Sequence, residues 1–185
     1  MNEHTTPPAD GYATRLAPDT LRFERLLPGP IERVWSYLVE PDKRRRWLAD
    51  GVMELKVGGR ADLVFRNGEL NNGEPTPERF AKYDREIRDE GEVLAVEPGR
   101  RLTMSWEANT DYPSEVTFEL TPVGEKVRMV VTHTKLAARS TLLGVAGGWH
   151  SHLALLEDEL EGRERRALWS LFGRYRDEYE TRLPE

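Results

Sequence analysis

The sequence predicts a single α+β domain in which a curved antiparallel sheet of about six or seven strands wraps around one long helix near the C-terminus. Between residues 50 and 135, most of the chain consists of short segments in which apolar and polar residues alternate, as in half-buried strands. The segment 147–162 then repeats apolar residues at helical spacing, and a proline-broken helical segment lies earlier, at 30–47. A sheet bent around one helix leaves space for a cavity, so a small apolar ligand is the first function to test.

Composition indicates a one-domain globular chain and excludes several chemistries. Hydrophobic residues make up 38% of the 185 residues and charged residues 32%, and no window approaches the roughly 20 apolar residues of a membrane span. The chain has no cysteine, which excludes a thiol nucleophile, a disulfide and a thiolate metal site. A net charge of −6 argues against a nucleic-acid partner, because phosphate backbones bind basic surfaces.

Three segments are predicted along the chain. Residues 1–20 contain prolines and small polar residues and are predicted to be a mobile lead-in. They lack the basic start and apolar run of a secretory signal, so we expect a cytoplasmic protein. Residues 21–162 are predicted to form the folded domain, and residues 163–185 a helical extension packed on it.

The first predicted strand covers 21–27, where alternate residues are apolar. Pro30 suits the first turn of the helical segment that follows, and Pro41 divides that segment into two short helices. Residues 52–68 are predicted to form a hairpin around Gly58-Gly59, because glycine supplies the positive φ angles of tight turns.

Later elements follow from the same patterns. Residues 67–84 lack periodicity and are predicted to be a long loop at the rim of the sheet. The glycine-containing segment 140–148 has two interpretations. It is either a loop that enters the helix, or a flexible hinge or close backbone approach at the cavity mouth. Further strands are predicted at 88–96, 102–106, 115–121 and 127–133, and helices at 149–162 and in the C-terminal extension.

Several short motifs between residues 21 and 162 resemble a known family in their order and spacing. They are Pro30-Ile31-Glu32-Arg33-Val34-Trp35, Trp47, the Gly58-Gly59 turn, Gly91-Glu92-Val93-Leu94, and Trp149-His150 with Leu153, Leu156 and Leu160. The family is the group named after activators of the heat-shock-protein-90 ATPase, within the START-like or SRPBCC superfamily with its Bet v 1-like helix-grip fold. The resemblance implies a curved sheet that grips the Trp149 helix around a cavity. It carries over no catalytic residue.

Aromatic, methionine and histidine side chains recur on the predicted inward faces. They suit an apolar pocket for an aromatic or polyketide-like ligand, and they equally suit plain core packing. The candidate ligand-binding residues are Trp35, Trp47, Met53, Phe65, Met104, Trp106, Phe118, Met129, His133, Trp149, His150 and Leu153.

The histidines and the basic run each have two interpretations. His133 and His150 are candidates to meet across the cavity for ligand orientation or proton transfer, the alternative being structural histidines. His150 and His152 are two residues apart, too close for the i, i+4 spacing of a helical metal site, so no metal or cofactor is expected. The run 43–46 is either a solvated helix face or a site for an anion or acidic partner.

The leading hypothesis is a cofactor-free binding module for a small hydrophobic or aromatic molecule. Its biological role would then be sequestration of, or self-resistance against, a natural product such as an enediyne. The first alternative is a polyketide cyclase or aromatase-like enzyme in which His133, His150 or Glu107 moves protons. The second alternative is a co-chaperone-like module that binds a protein partner.

Overall fold

The computed structural model describes residues 10–184 and contains a seven-stranded antiparallel sheet in the order β1-β2-β7-β6-β5-β4-β3. Two short helices follow the second strand, and a long helix and a further helix follow the last strand. The predicted fold class is therefore confirmed. The strands are β1 Thr14–Ala17, β2 Thr20–Pro28, β3 Arg60–Phe65, β4 Ile87–Glu97, β5 Arg101–Trp106, β6 Ser114–Val123 and β7 Lys126–Thr134, and the helices are α1 Ile31–Val39, α2 Pro41–Arg44, α3 Arg139–Glu161 and α4 Leu168–Arg182.

The segment predicted as a lead-in contains the edge strand β1, which pairs with β2. Residues 1–9 of that segment lie outside the described part of the chain. Sequence analysis missed β1 because three of its four residues are exposed, so the strand has no buried face to produce an apolar alternation. Nearby, the Tyr12 ring meets the His150 ring edge-on at 4.6 Å between centroids. Residues 12–17 therefore belong to the packed structure.

The predicted 52–68 hairpin is only half formed, since β3 is its one regular strand. The residues before β3 make only two isolated bridges to it. Gly58, with φ of +78°, lies in a tight turn, which the Gly59 N–H closes by donating to the Lys56 carbonyl at 2.9 Å. The pair also bonds to β4, because the Gly58 N–H donates to the Val93 carbonyl at 2.9 Å and the Val93 N–H donates to the Gly59 carbonyl at 2.8 Å. The glycines thus form the predicted turn and also tie this segment to β4, whereas residues 52–57 before the turn form no regular strand.

The segment predicted as a rim loop, 67–84, contains two 3₁₀ helices at Asn67–Leu70 and Glu78–Tyr83. Its attachment to α4 is specific. The backbone N–H of Trp169 donates to Asn71 Oδ1 at 2.9 Å, and the Phe80 ring stacks on the Trp169 ring at 5.2 Å. This segment and the start of α4 therefore form one wall beside the sheet.

The long helix α3 packs on the sheet and against α4. It begins before residue 140, so the loop interpretation of 140–148 is wrong. Gly147 permits the close approach of α4, because a Cβ there would lie 3.2 Å from the Arg176 backbone. Gly162, with φ of +67°, ends the helix in the left-handed conformation that glycine adopts without strain. None of the helices in residues 10–184 has the length and apolar character needed to cross a bilayer.

Candidate functional site: an aromatic cavity at one end of the sheet

A cavity of about 720 Å³ lies where the start of β4 and the ends of β3 and β5 face α3 and the first turn of α4. Most of its wall is apolar and its rim carries charged and amide side chains. Six aromatic side chains contribute to the lining, namely Phe65, Tyr83, Trp106, Trp149, Trp169 and Phe172.

One face of α3 forms the longest continuous wall. The lining positions 141, 144, 145, 148, 149 and 152 recur at the spacing of a single helix face. Gly144 and Gly148 lie in the middle of this face, and a Cβ added at either would meet no atom within 4 Å. Part of the cavity volume is therefore open because these two glycines have no side chains.

The aromatic rings of Trp106 and Trp149 separate the cavity from the packed core. Their centroids are 5.1 Å apart, and Trp106 also contacts Phe65 on the cavity side at 5.6 Å. On its other side Trp149 meets the ring of Phe118, which is 2% exposed, at 5.5 Å. Edge-on and tilted contacts at these distances are favourable aromatic geometries, so they stabilise this boundary.

His133 lines the cavity, but the protein engages both of its ring nitrogens. Trp149 Nε1 donates to Nδ1 at 2.9 Å, so Nδ1 carries no proton. The proton of the neutral ring is therefore on Nε2, which donates to Ser114 Oγ at 2.8 Å. Burial lowers the pKa of His133 to about 3. His133 is thus a neutral structural histidine with no nitrogen left for a ligand.

His152 differs from His133 in one respect that bears on ligand binding. Its Nδ1 lies 2.7 Å from the Trp47 carbonyl oxygen, which can only accept, so Nδ1 carries the ring proton. No described residue makes a hydrogen bond to its other nitrogen, Nε2. Burial lowers the pKa of His152 to about 4, which keeps the ring neutral near pH 7.

Two carboxylates lie together at the cavity rim, Asp89 and Glu107. The Glu107 N–H donates to Asp89 Oδ2 at 2.8 Å, and Glu107 has a φ of +53°, a left-handed conformation uncommon outside glycine. Desolvation raises the pKa of both groups, and the negative charge of Asp89 further raises the pKa of Glu107. The rim thus favours the protonated form of each carboxyl more than open solvent does.

The structure brings four of the twelve predicted ligand residues to the cavity, namely Phe65, Trp106, His133 and Trp149. His150 lies instead against α4, its ring stacked on Tyr175 at 3.6 Å and its Nδ1 3.0 Å from the Tyr179 hydroxyl. The structure therefore does not bring His133 and His150 together. The remaining seven do not line the cavity: Trp47, Met104, Phe118, Met129 and Leu153 are core residues, and Trp35 and Met53 pack against the core.

Sequence analysis missed the cavity wall contributed by the 67–84 segment, by α4 and by His152. His152 lies three residues after Trp149, and this spacing on one helix face was a signal that could have found it. Trp169 and Phe172 share the same spacing in the C-terminal extension. Asn67 and Tyr83 follow no periodic pattern. Within residues 10–184, no group of three or more histidine, aspartate or glutamate side chains is placed to hold a metal ion.

A seven-stranded antiparallel sheet that grips one long helix beside a cavity defines the SRPBCC or Bet v 1-like class of proteins. The chain belongs within it to the family of Activator of Hsp90 ATPase homolog 1-like proteins, whose family model matches residues 28–161. The resemblance noted in the sequence is thereby confirmed. No curated protein matches the chain.

Solved structures show the same fold. A protein encoded by the gene BPP1335 of Bordetella parapertussis is 45% identical, with a TM-score of 0.80 over 97% of this chain and 96% of that chain. CalU16 from Micromonospora echinospora is 20% identical, with a TM-score of 0.64 over 92% and 93% of the two chains. DynU16, a protein in the dynemicin biosynthetic locus, is 21% identical, with a TM-score of 0.64 over 83% of this chain and 51% of that chain.

Proposed function

We propose that the protein binds a small hydrophobic or aromatic molecule in the cavity between the sheet, α3 and α4, without a cofactor. The observation that supports this most directly is the cavity of about 720 Å³ lined by six aromatic side chains. Small-molecule sites are commonly about 300–1,000 Å³, mostly apolar, with a few placed polar groups. Aromatic walls favour planar ligands, since rings stack or meet edge-on.

The biological role that we favour for this binding is sequestration of, or self-resistance against, a natural product. The support is the fold shared with DynU16, a protein in the dynemicin biosynthetic locus. Enediynes therefore belong in the ligand panel beside aromatic polyketides, flavonoids, fatty acids and sterols.

The test is thermal unfolding of the purified protein against that panel, with a cavity-filling variant as its control. A ligand that binds only the native state raises the melting temperature Tm. Gly148→Phe places a ring in open cavity space, whereas Gly148→Ala adds one methyl group at the same position. We expect a saturable rise in Tm in the wild type and in Gly148→Ala, and none in a folded Gly148→Phe.

Two outcomes would contradict the proposal. If no panel member raises Tm, a protein partner becomes the better hypothesis, and the exposed side chains of Val52, Leu55 and Val57 are the surface to test. If Gly148→Phe responds like the wild type, the ligand binds elsewhere on the protein.

A cyclase or aromatase-like activity is the second candidate, and the observation that favours it is the Asp89–Glu107 pair. A carboxyl group whose pKa is raised by desolvation gives up its proton less readily than an ordinary carboxyl does, which suits a group that both gives and takes a proton. Any panel ligand that binds should therefore be incubated and analysed by mass spectrometry. Conversion that is lost in Glu107→Gln while binding persists would establish the activity, and an unchanged ligand would leave binding as the whole function.

A further inference from the structure

The cavity contains one histidine nitrogen that is placed to accept a hydrogen bond from a ligand. We propose that His152 Nε2 accepts a hydrogen bond from a hydroxyl group of the ligand, so that the ligand is a hydroxylated aromatic, a phenol or an enol. This inference rests on the proposed function, because it concerns the same cavity.

The first step of the argument is the orientation of the ring. His152 is 8% exposed and belongs to the α3 face that lines the cavity. Its Nδ1 donates to the carbonyl of Trp47, a core residue that does not line the cavity. The two ring nitrogens of imidazole point in widely different directions, so anchoring Nδ1 on the core directs Nε2 away from it. Nε2 is therefore the polar edge that the ring presents to the cavity.

The second step is the chemistry of that edge. Because Nδ1 holds the proton of the neutral ring, Nε2 has a lone pair and no hydrogen, and it can accept but not donate. Burial stabilises the neutral ring, so this state holds near pH 7. A ligand that covers Nε2 without offering a donor leaves this acceptor buried and unpaired, which costs free energy, whereas a ligand hydroxyl pairs with it.

The third step is the comparison with His133, the other histidine of the cavity. Its nitrogens are already bonded to Trp149 and Ser114, so it offers a ligand only its ring surface. Of these two histidines, only His152 can therefore select for a hydroxyl group. A bare hydrocarbon satisfies the aromatic walls and leaves Nε2 unpaired.

The experiment compares two probes that differ in one hydrogen-bond donor, 2-naphthol and 2-methoxynaphthalene, by titration calorimetry. We expect the wild type to bind 2-naphthol about fivefold more tightly, the effect of one ordinary hydrogen bond. In His152→Asn the amide can still donate to the Trp47 carbonyl but is too short to replace Nε2, so the preference should disappear. In His152→Gln the longer amide places an acceptor near the position of Nε2, so a preference should persist.

A second measurement keeps the inference testable if the variants fail to fold. In nitrogen-15 spectra of the wild type, Nδ1 should be protonated and Nε2 unprotonated, and 2-naphthol should shift the Nε2 signal upfield more than 2-methoxynaphthalene does. Equal affinity for the two probes, or a preference that survives in His152→Asn, would overturn the role of His152 and leave the cavity proposal standing. If neither probe binds, the proposal of a hydroxyl-selective site is overturned. The ligand panel with the Gly148 variants then tests separately whether the cavity binds a ligand.

Discussion

The indole Nε1 of Trp149 donates a hydrogen bond to His133 Nδ1 at 2.9 Å and so links α3 to β7 inside the domain. The bond assigns the tautomer of His133, whose Nε2 proton then goes to Ser114 Oγ. Ser114 Oγ in turn donates to the Trp106 carbonyl at 3.3 Å. A chain of three hydrogen bonds thus runs from the helix across three neighbouring strands at the inner end of the cavity.

Removing the first donor of this chain should destabilise the protein. Trp149→Phe keeps an aromatic ring but leaves His133 Nδ1 buried without a partner, which costs about 1–3 kcal/mol of unfolding free energy. The measurement is chemical unfolding in urea. Trp106→Phe is the matched control, because the described residues give the Trp106 indole N–H no hydrogen bond, so it should cost less. Equal losses in the two variants would mean that ring volume and not the hydrogen bond decides stability.

Stability should fall as the pH is lowered through the range of the buried histidines. Burial lowers the pKa of His133 to about 3 from the ordinary 6.5, so the unfolded chain binds the proton more tightly than the folded protein does. Unfolding free energy therefore rises with pH between about 3 and 6.5 and is lost as the pH falls through that window. A shift of this size amounts to something on the order of 5 kcal/mol for one fully buried group.

Urea unfolding at a series of pH values measures this dependence. His150 and His152, with pKa values lowered to about 3 and about 4, act in the same direction. His133→Gln should have a shallower pH dependence than the wild type between pH 4 and 6, even though it is less stable at pH 7. An unchanged slope would show that carboxylates and not His133 govern acid unfolding.

The strands and helices could largely be predicted because burial imposes a period on the sequence. In β7, alternate residues from Val127 to His133 are buried, and the sequence shows the same alternation. The segment 52–57 was predicted as a strand because it contains apolar residues at period two, but Val57 is 70% exposed. A period-two pattern indicates a strand only when the sheet covers one of its faces.

The cavity was harder to predict than the fold. A residue that faces inward can either pack in the core or line the cavity, and the sequence pattern is the same in both cases. Met104 and Trp106 share one face of β5, yet Met104 is 1% exposed in the core and Trp106 borders the cavity. The two residues differ in how far along β5 they lie from the packed core. Where the core ends and the cavity begins depends on residues far away in the chain. Trp169 reaches the cavity through contacts with Asn71 and Phe80, which no local pattern records.

The buried guanidinium of Arg44 should be a major determinant of stability near α2. It is 1% exposed and donates to the backbone carbonyls of Val39, Ala49 and Gly51, among others, and burial lowers its pKa to about 10. Arg44→Met keeps much of the volume and leaves these carbonyls unpaired. We expect a loss of at least about 3 kcal/mol.

Arg45→Met is the matched control for this variant. Its side chain is 59% exposed and makes one weak ion pair at 4.0 Å, so unfolding free energy should change by less than about 0.5 kcal/mol. Chemical unfolding of both variants tests the contrast. Similar losses would mean that the basic run acts through its overall charge and not through the hydrogen bonds of Arg44.

The two helix glycines Gly144 and Gly147 should respond in opposite ways to alanine. Alanine in a helix interior is favoured over glycine by about 0.5–1 kcal/mol, and at Gly144 the added methyl group meets open cavity space, so Gly144→Ala should gain that amount. At Gly147 the methyl group would lie 3.2 Å from the Cα and N atoms of Arg176, tighter than ordinary contact. Backbone atoms of α4 cannot rotate away, so α4 must shift as a whole and its contacts with α3 weaken. Gly147→Ala should therefore be at least about 1 kcal/mol less stable than Gly144→Ala in urea unfolding. If both alanines stabilise the protein equally, the close approach of α3 and α4 is not what holds the C-terminal wall of the cavity in place.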